Sequence, residues 1–433
     1  MTPKPSILLL GWRTPYIRIA RELGLRTVVL YPPGQWDSGQ VDPAEADQSM
    51  LVEQLSSVEH VLRAVARLDL SGCIAVHTQE EWALASAGLV AEHLGVRGPD
   101  ADVMCRFRDK ALQKNHLTAA GFDIPAHLEI PDILSPDVPS RVAEFGFPTV
   151  LKPIAGAGTS ITVLTHDVAD VERAQAEART HDETPVVLGR RTFIAESFVP
   201  GREWHLDGYV RGGELEFLAV SRYGVNPIDT RQGSLLWSWC LDPEREKWAY
   251  RLGHDLAERS LSVLGLRDGL FHLEAFHQEG PDRLVFGECA ARLGGAMVRE
   301  AVLRKFGLDL YRAGIEIAAG LPVTPPRPAI QNDVAWTYLT AAPGQLVSRP
   351  TEDEVLERPE VTDFRYLVNS DDAVPDTTVW TAARLADAVI VAPEGDELDV
   401  LLRELRDWFS DAVVTRQESA EPPSTSHEDI PSA

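Results

Sequence analysis

The amino-acid sequence predicts a multidomain protein of mixed α/β and α+β class, and three observations carry that expectation. Strand and helix signals alternate over residues 6–98, the pattern of a parallel sheet covered by helices. Two runs of alternating apolar and polar residues, joined by a polar turn, make residues 269–292 read as an antiparallel hairpin. Residues 331–411 carry strand signals first (VAWTYLT, FRYLV, AVIVA) and an amphipathic helix last, as in a small α+β lobe. The chain has 433 residues, 44% hydrophobic and 25% charged, enough for several domains with ordinary cores.

In the first domain SILLLG is a short apolar strand, Thr14 and Pro15 give N-cap and first-turn signals for a helix ending near Gly24, and RTVVLY is the next strand. Ser56 with Glu59 and Thr78 with Glu81 each match a capping box, with the apolar strand CIAVH between the two helices they announce. Gly11 stands alone after the first strand, followed by Trp12, Arg13 and Thr14. A dinucleotide site needs three glycines there, for the tight turn and close backbone approach, so the sequence argues against one.

DKALQKNHLTAA, from Asp109 to Ala120, predicts a short helix stopped by Gly121. Lys110 falls in its first turn, where the helix dipole disfavours a cation, which points either to an anion nearby or to a solvated helix face. FPTVLKP then sets Lys152 at the end of a strand, and Gly156, Gly158, Thr159 and Ser160 form a small-residue loop before the strand ITVL. Such a loop can bring backbone N–H groups against phosphate oxygens, or it can be a plain hairpin turn. It is not a Walker loop, because no Gly-Lys-Ser/Thr closes it.

Period two in REWHLDGYV puts Glu203, His205 and Asp207 on one strand face, which is expected to be the wet, ligand-facing one. SRYGVNPIDTRQGSLLWSWCLDPE follows no helical or strand period. A long ordered segment of this kind covers a substrate or lends its tryptophans to the core, and Arg222, Trp237 and Trp239 are its candidates for an acceptor substrate. Asp242 and Pro243 are expected to start a long helix ending at Gly265. In the hairpin, His272, Glu274 and Phe276 share a face, and beyond the turn QEGPD Glu288 and Arg292 also fall on a single face, so that the two carboxylates point the same way with an arginine close by. Two carboxylates on neighbouring strands suit a hard cation such as Mg²⁺, although a hairpin with a wet charged face gives the same pattern. Zinc is not indicated: His277 falls opposite His272, and no further His or Cys cluster has the spacing. Beyond it, Asp309 and Gly320 bracket a helix, and PPRPAIQ reads as a linker.

Taken in order, RDKALQKNHLTAAGFDIP, FPTVLKPIAGAGTS, FIAESFVPGREWHLDGYV and the hairpin ending GECAARLGG resemble the successive motifs of the ATP-grasp superfamily. Within it the likeness is to carboxylate–amine ligases of the L-amino acid ligase, or dipeptide synthetase, type, over about residues 106–320. The resemblance implies an N-terminal Rossmann-like domain (1–105), a small lobe with the glycine loop (106–195), a large lobe with a Mg²⁺ site (196–330), a C-terminal α+β lobe (331–415) and a disordered tail (416–433). It implies that Lys110 and Lys152 hold ATP phosphates under a flap made by Gly156, Gly158, Thr159 and Ser160. Glu196 and the backbone of Ser197, Phe198 and Val199 would read adenine, and Glu203 would accept from ribose hydroxyls. Glu274 and Glu288 would bind Mg²⁺, and His272 would neighbour that site or the substrate. Arg292 would face the transferred phosphoryl group beside the backbone of Gly294 and Gly295, so that Arg292 and Lys152 are the catalytic candidates. Where family members often carry Asn, this chain has Ala290, which removes a possible oxygen ligand and matches the amino acid ligase branch.

The implied reaction is ATP-dependent amide formation between a small carboxylate and an amine, with an amino acid among the substrates, through an acyl phosphate. Two other readings suit the same residues: a carboxylation through carboxyphosphate, and a nucleotide-binding protein without turnover. The acidic excess, 66 Asp plus Glu against 41 Lys plus Arg for a formal net charge of -25, argues against nucleic acid or anionic membrane as partner. Cys73, Cys105, Cys240 and Cys289 show no paired spacing, no apolar run reaches roughly eighteen residues, and MTPKPSILLLGW lacks the features of a signal peptide. A cytoplasmic protein is expected, and a homodimer is left open.

Overall fold

The computed structural model describes residues 3–156, 158–159, 161–181, 191–280, 282–369, 372–375, 383–394 and 398–416. Ser160 and the expected disordered tail beyond Arg416 lie outside the described residues.

Strands β1 (Ser6–Leu10), β2 (Arg26–Tyr31), β3 (Gln48–Leu51) and β4 (Cys73–Thr78) form a parallel sheet in the order β3-β2-β1-β4. The central strands β1 and β2 are buried on both faces, which is why they read as near-continuous apolar runs instead of alternating. One face packs Leu8, Leu10, Val28 and Leu30 against Val61 and Val90. The other packs Ile7, Leu9 and Val29 against Ile17 and, from far along the chain, Ile315 and Ala319 of the helix Leu310–Ala319. The winding direction changes between β1 and β4, so their carboxyl ends open a crevice towards the rest of the molecule.

Several expected caps are replaced. Ser57, not Ser56, caps the helix Val58–Val65 by accepting from His60 N. Thr14 begins its helix without capping it; Arg13 is the N-cap, and the Thr14 hydroxyl donates to Glu45. Thr78 and Glu81 form no box, because β4 runs through Thr78 and a short 3-10 turn separates it from the helix Leu84–Leu94. The Thr78 hydroxyl donates to Leu10 O at 2.7 Å, which leaves the Glu81 carboxylate free for the site described below.

The small lobe is an antiparallel sheet of β5 (His127–Ile130), β6 (Thr149–Pro153), β7 (Val163–Thr165) and β8 (Phe193–Ser197), in the order β5-β8-β6-β7, covered by the helices Val138–Phe145 and Val168–His181. The rest of the chain supplies β9 (Arg202–Arg211), β10 (Glu214–Tyr223), β11 (Trp237–Cys240), β12 (Gly269–Gln278), β13 (Arg283–Ala290), β14 (Asp333–Leu339), β15 (Gly344–Ser348), β16 (Val361–Tyr366), β17 (Ala373–Val374), β18 (Ala386–Ala392) and β19 (Val414–Arg416). Eight of these form one antiparallel sheet, β13-β12-β9-β10-β11-β14-β18-β16, and β17-β15-β19 form a small separate sheet.

That eight-stranded sheet crosses the division expected near residue 330: β11 pairs with β14 from Trp237↔Thr337 to Cys240↔Val334. The helix Lys247–Leu264 covers one face and the helices Val298–Phe306 and Leu310–Ala319 cover the other. The long helix starts later than Asp242, whose carboxylate instead accepts from the backbone of Glu244 and Arg245 and pairs with the buried Lys305 Nζ at 2.8 Å. Asp309 and Gly320 cap and end their helix as their sequence positions imply.

Candidate active site

The small lobe, the large-lobe sheet and the N-terminal domain meet around a cleft of about 260 Å³. The hairpin forms one wall. Glu274 and Glu288 stand opposite each other in the β12–β13 register, and Gly287 is the extra residue of a bulge that follows. A side chain at Gly287 would meet Glu274 O at 2.8 Å, so the close approach of the strands there requires glycine. The helix Lys110–Ala119, capped by Asp109, locks this wall from behind. Gln113 donates to Cys289 O at 2.7 Å and accepts from Cys289 N at 2.8 Å, and Lys114 Nζ donates to Gly287 O at 2.7 Å.

Three lysines and two glutamates form a connected ion-pair network. Lys152 Nζ lies 3.0 Å from Glu288 Oε2 and 3.3 Å from Glu196 Oε1. Lys114 Nζ lies 3.3 Å from the same Glu196 oxygen, and Lys110 Nζ lies 3.6 Å from Glu288 Oε1 while donating to Gly156 O at 3.0 Å. The anion that the position of Lys110 called for is therefore present within the chain, as Glu288. Burial opposes both charges, yet the neighbours win: Glu196 and Glu288 raise the Lys152 ammonium above its ordinary range, and Lys110 and Lys152 hold the Glu288 carboxyl far below its own. Lys114 goes the other way, because burial dominates and brings it down to about 8 despite Glu196.

Glu203 borders the same cleft, and burial together with the negative Glu274 and Glu288 pushes its carboxyl well above the usual range. The carboxylates of Glu203, Glu274 and Glu288, all bordering one cleft, form a donor set that fits a hard divalent cation. His205 and Asp207, expected on a wet face, are buried at 1% and 0% exposure. The reason is that rings from other strands crowd that face of β9: those of Tyr223, His272 and Trp336 lie 4.8, 5.5 and 6.4 Å from the His205 ring. Asp207 accepts from Nδ1 of His205 at 2.6 Å and of His272 at 2.9 Å, and the chain ends at Ser238 Oγ, 2.7 Å from His205 Nε2. His205, Asp207 and His272 do cluster as metal ligands could, but the central carboxylate is already shared between two imidazoles. Burial alone would lower His272, but the Asp207 carboxylate and its hydrogen bond raise it to about 10, so the ring is an imidazolium near neutrality. Its Nε2 lies 3.5 Å from Glu274 Oε1, and Tyr223 OH donates to that same oxygen at 3.3 Å.

Arg292 is held from the N-terminal domain. Glu81, 8% exposed, pairs with both Arg292 and Arg108, and Arg108 donates to Ala155 O at the base of the glycine loop at 2.6 Å. The two guanidinium groups keep the Glu81 carboxyl below its usual range although burial would raise it.

Most of the sequence candidates meet in this cleft: Lys110, Lys152, Gly156, Gly158, Thr159, Glu196, Ser197, Phe198, Val199, Glu203, His272, Glu274, Glu288, Arg292 and Gly295 all border it. Glu196 is turned towards lysines. Gly294 lies just behind, its N–H directed at Asp207 Oδ1 at 3.3 Å. Arg222, Trp237 and Trp239 are not brought there. The pleat sends Tyr223 into the cleft and Arg222 to the opposite face, where its guanidinium lies 4.8 Å from the Trp204 ring and 5.2 Å from that of Trp248. Trp237 and Trp239 stack at 5.2 Å and pack against the core of the C-terminal lobe. Residues not anticipated are Glu81, Lys114, Leu236, Trp336 and Tyr338. Lys114 lies one helical turn after Lys110, a spacing visible in the sequence.

No family model matches the chain. It is 24% identical over 238 residues to the L-arginine-specific L-amino acid ligase of Bacillus subtilis, covering 55% of this chain and 56% of that protein, so the match spans little more than half of that relative's length. Among solved structures, an L-amino acid ligase from Bacillus licheniformis superposes with a TM-score of 0.75 at 16% identity, over 96% of this chain and 100% of the other. The biotin carboxylase domain of Hydrogenobacter thermophilus 2-oxoglutarate carboxylase, in complex with MgADP, ADP and bicarbonate, superposes at 0.62 and 18% identity over 90% and 87%.

Proposed function

For a chain with the ATP-grasp fold of these solved neighbours, we propose an ATP-dependent carboxylate–amine ligase that joins small molecules, amino acids among them, by an amide bond. The observation that carries this is the ion-pair network of Lys110, Lys152, Glu196 and Glu288 in a cleft walled by both lobes. The similarity to amino acid ligases supports the choice of reaction.

In this reading a substrate carboxylate oxygen attacks the γ-phosphorus of ATP and ADP departs. The amine nitrogen then attacks the acyl carbon, the C–O bond to phosphate breaks, and the nitrogen loses a proton. Lys152 and Lys110 exchange Glu288 for phosphate oxygens, so that each ammonium keeps an anionic partner as the nucleotide enters. Glu196 keeps Lys152 and Lys114 in place while this happens. Mg²⁺, held by Glu274 and Glu288 with Glu203 nearby, would supply charge stabilisation at the phosphoryl oxygens. Ser197, Phe198 and Val199 offer backbone groups to adenine, and Arg292, positioned by Glu81, faces the acyl phosphate. No enzyme nucleophile takes part: the buried Cys289 thiol is pushed well above its usual range, which keeps it protonated.

Phosphate release by the purified protein with ATP, Mg²⁺ and a matrix of amino acids, with products identified by mass spectrometry, tests the proposal. Release that depends on amino acids and yields an amide is expected. Release that requires bicarbonate instead, or no stimulation across the matrix, would replace it.

A further inference from the structure

Resting on the ligase reading of the cleft, we propose that Asp207 is a positioning residue, one buried carboxylate that both aims Glu274 at the metal and fixes the backbone of Gly294 beyond Arg292. The metal wall and the segment after Arg292 are then set from a single point on β9. Asp207 stands directly opposite His272 in the β9–β12 register, so their contact is built into the sheet. Its Oδ1 accepts from His272 Nδ1 at 2.9 Å and from Gly294 N at 3.3 Å, and its Oδ2 accepts from His205 Nδ1 at 2.6 Å. Asp207 is fully buried, so bulk water does not compete for any of these bonds.

With Nδ1 committed to Asp207, the His272 ring is held in one plane, and its Nε2 comes to rest 3.5 Å from Glu274 Oε1. Tyr223 OH donates to the same oxygen at 3.3 Å. Glu274 Oε2 has no partner among the described residues and is the oxygen left for a cation. Groups that hydrogen-bond a ligating carboxylate decide where it points, and their loss typically weakens metal binding by about ten- to a hundredfold.

The chain after Arg292 closes onto the same pair. A Cβ at Gly294 would meet His272 Nδ1 at 2.7 Å and Asp207 Oδ1 at 2.8 Å, so glycine is what lets this backbone N–H reach the carboxylate. The neighbouring residues are tied elsewhere: Gln79 donates to Leu293 O at 2.9 Å and Arg365 to Ala296 O at 2.6 Å. Gly294 is where the segment is tied to β9. One branch of the network, through His205 to Ser238, ends in the core and serves packing. The other two end on Glu274 and beside Gly295, both of which border the cleft.

The test compares Asp207→Ala, Asp207→Asn and Gly294→Ala in the full chain. Mn²⁺, an EPR-visible stand-in for Mg²⁺, is titrated in the presence of a non-hydrolysable ATP analogue. The analogue alone is titrated in chelator, and thermal unfolding confirms that each variant is folded. Asp207→Ala should weaken Mn²⁺ binding by at least about tenfold. Analogue binding in chelator should stay within about twofold, because Lys110, Lys152 and Glu196 share no contact with Asp207 among the described residues. A general loosening of the fold would weaken both. Asp207→Asn keeps an acceptor oxygen for His272 and Gly294, and its amide can donate to the other tautomer of His205. Its Mn²⁺ affinity should therefore stay within about threefold of the parent. Gly294→Ala should weaken Mn²⁺ binding severalfold although Gly294 supplies no metal ligand, because the added methyl displaces His272 or Asp207. Unchanged Mn²⁺ affinity in Asp207→Ala or Gly294→Ala, equal losses in the two titrations, or Asp207→Asn as poor as Asp207→Ala would each overturn the inference. Should Asp207→Ala fail to fold, Gly294→Ala set against Asp207→Asn decides it. Phosphate release separates it from the ligase reading. The expected Mn²⁺ pattern without amino acid-stimulated release sinks the ligase alone, and stimulated release with Mn²⁺ affinity unmoved in the variants sinks the positioning role alone.

Discussion

At one end of the cleft Lys110, Lys114 and Lys152 stand among Glu196, Glu203, Glu274 and Glu288; elsewhere its border is made by Tyr223, Leu236, Trp336 and Tyr338, all but buried in apolar packing. The charged end is held by mutual compensation, in which each ion's position depends on a partner of opposite sign. The aromatic end is held by packing, and its residues belong to the core of the eight-stranded sheet. Loss of one charged group therefore leaves another ion uncompensated, while a change in the aromatic wall alters core packing.

The largest effect should come from Glu288→Gln. It removes a carboxylate from the proposed metal site and the shared partner of Lys110 and Lys152, so ATP turnover should fall on the order of a thousandfold. Nucleotide titrations in the presence of chelator should be no weaker than in the parent protein, because two lysines are released. Weaker chelator-insensitive binding would show that Glu288 does not restrain those lysines.

Glu81→Ala should come next, in stability. Two partly buried guanidinium groups lose their common buried carboxylate, for a cost of about 3 kcal/mol in denaturant unfolding. If the midpoint hardly moves, Arg292 is not being held from the N-terminal domain.

A further effect is spread over pH and is small at any one step. His272 is raised from 6.5 to about 10, with burial opposing and Asp207 prevailing, so the folded state binds a proton that the unfolded chain releases. Its contribution is complete below about pH 6.5 and is lost as the pH rises towards about 10, with a slope of at most about 1.4 kcal/mol per pH unit. Unfolding free energies of the parent and His272→Gln at several pH values should converge across that window. A constant difference would mean that His272 is neutral in the folded protein.

The charged end was largely legible because its groups sit in contiguous motifs. Lys110 lies one residue after a cap, Lys152 ends a strand, and Glu274 and Glu288 flank a single turn. Alternation alone placed the two glutamates on one wall. It did not reveal how the wall is held, since Gln113 and Lys114 act on Cys289 and Gly287 across more than 170 positions of chain. Glu81 was read as a capping residue from a local pattern, and its ion pair with Arg292 depends on a domain contact over a separation of 211. Arg222, Trp237 and Trp239 drew attention by residue type, but the pleat set Arg222 outside the cleft and the two tryptophans against another core.

The sequence by itself determined the parallel-sheet domain, the antiparallel hairpin with its carboxylates, and the lysines and glycines in front of it. In each case the information is local: an apolar period, a cap, a turn or an ordered string of motifs. Only the tertiary structure decided that β14 would continue the large-lobe sheet past the expected division at residue 330. That pairing brings Trp336 and Tyr338 beside Tyr223, more than a hundred residues earlier in the chain. Strand pairing at such a distance is chosen by the burial of whole sheet faces, a collective quantity that no single stretch of sequence contains.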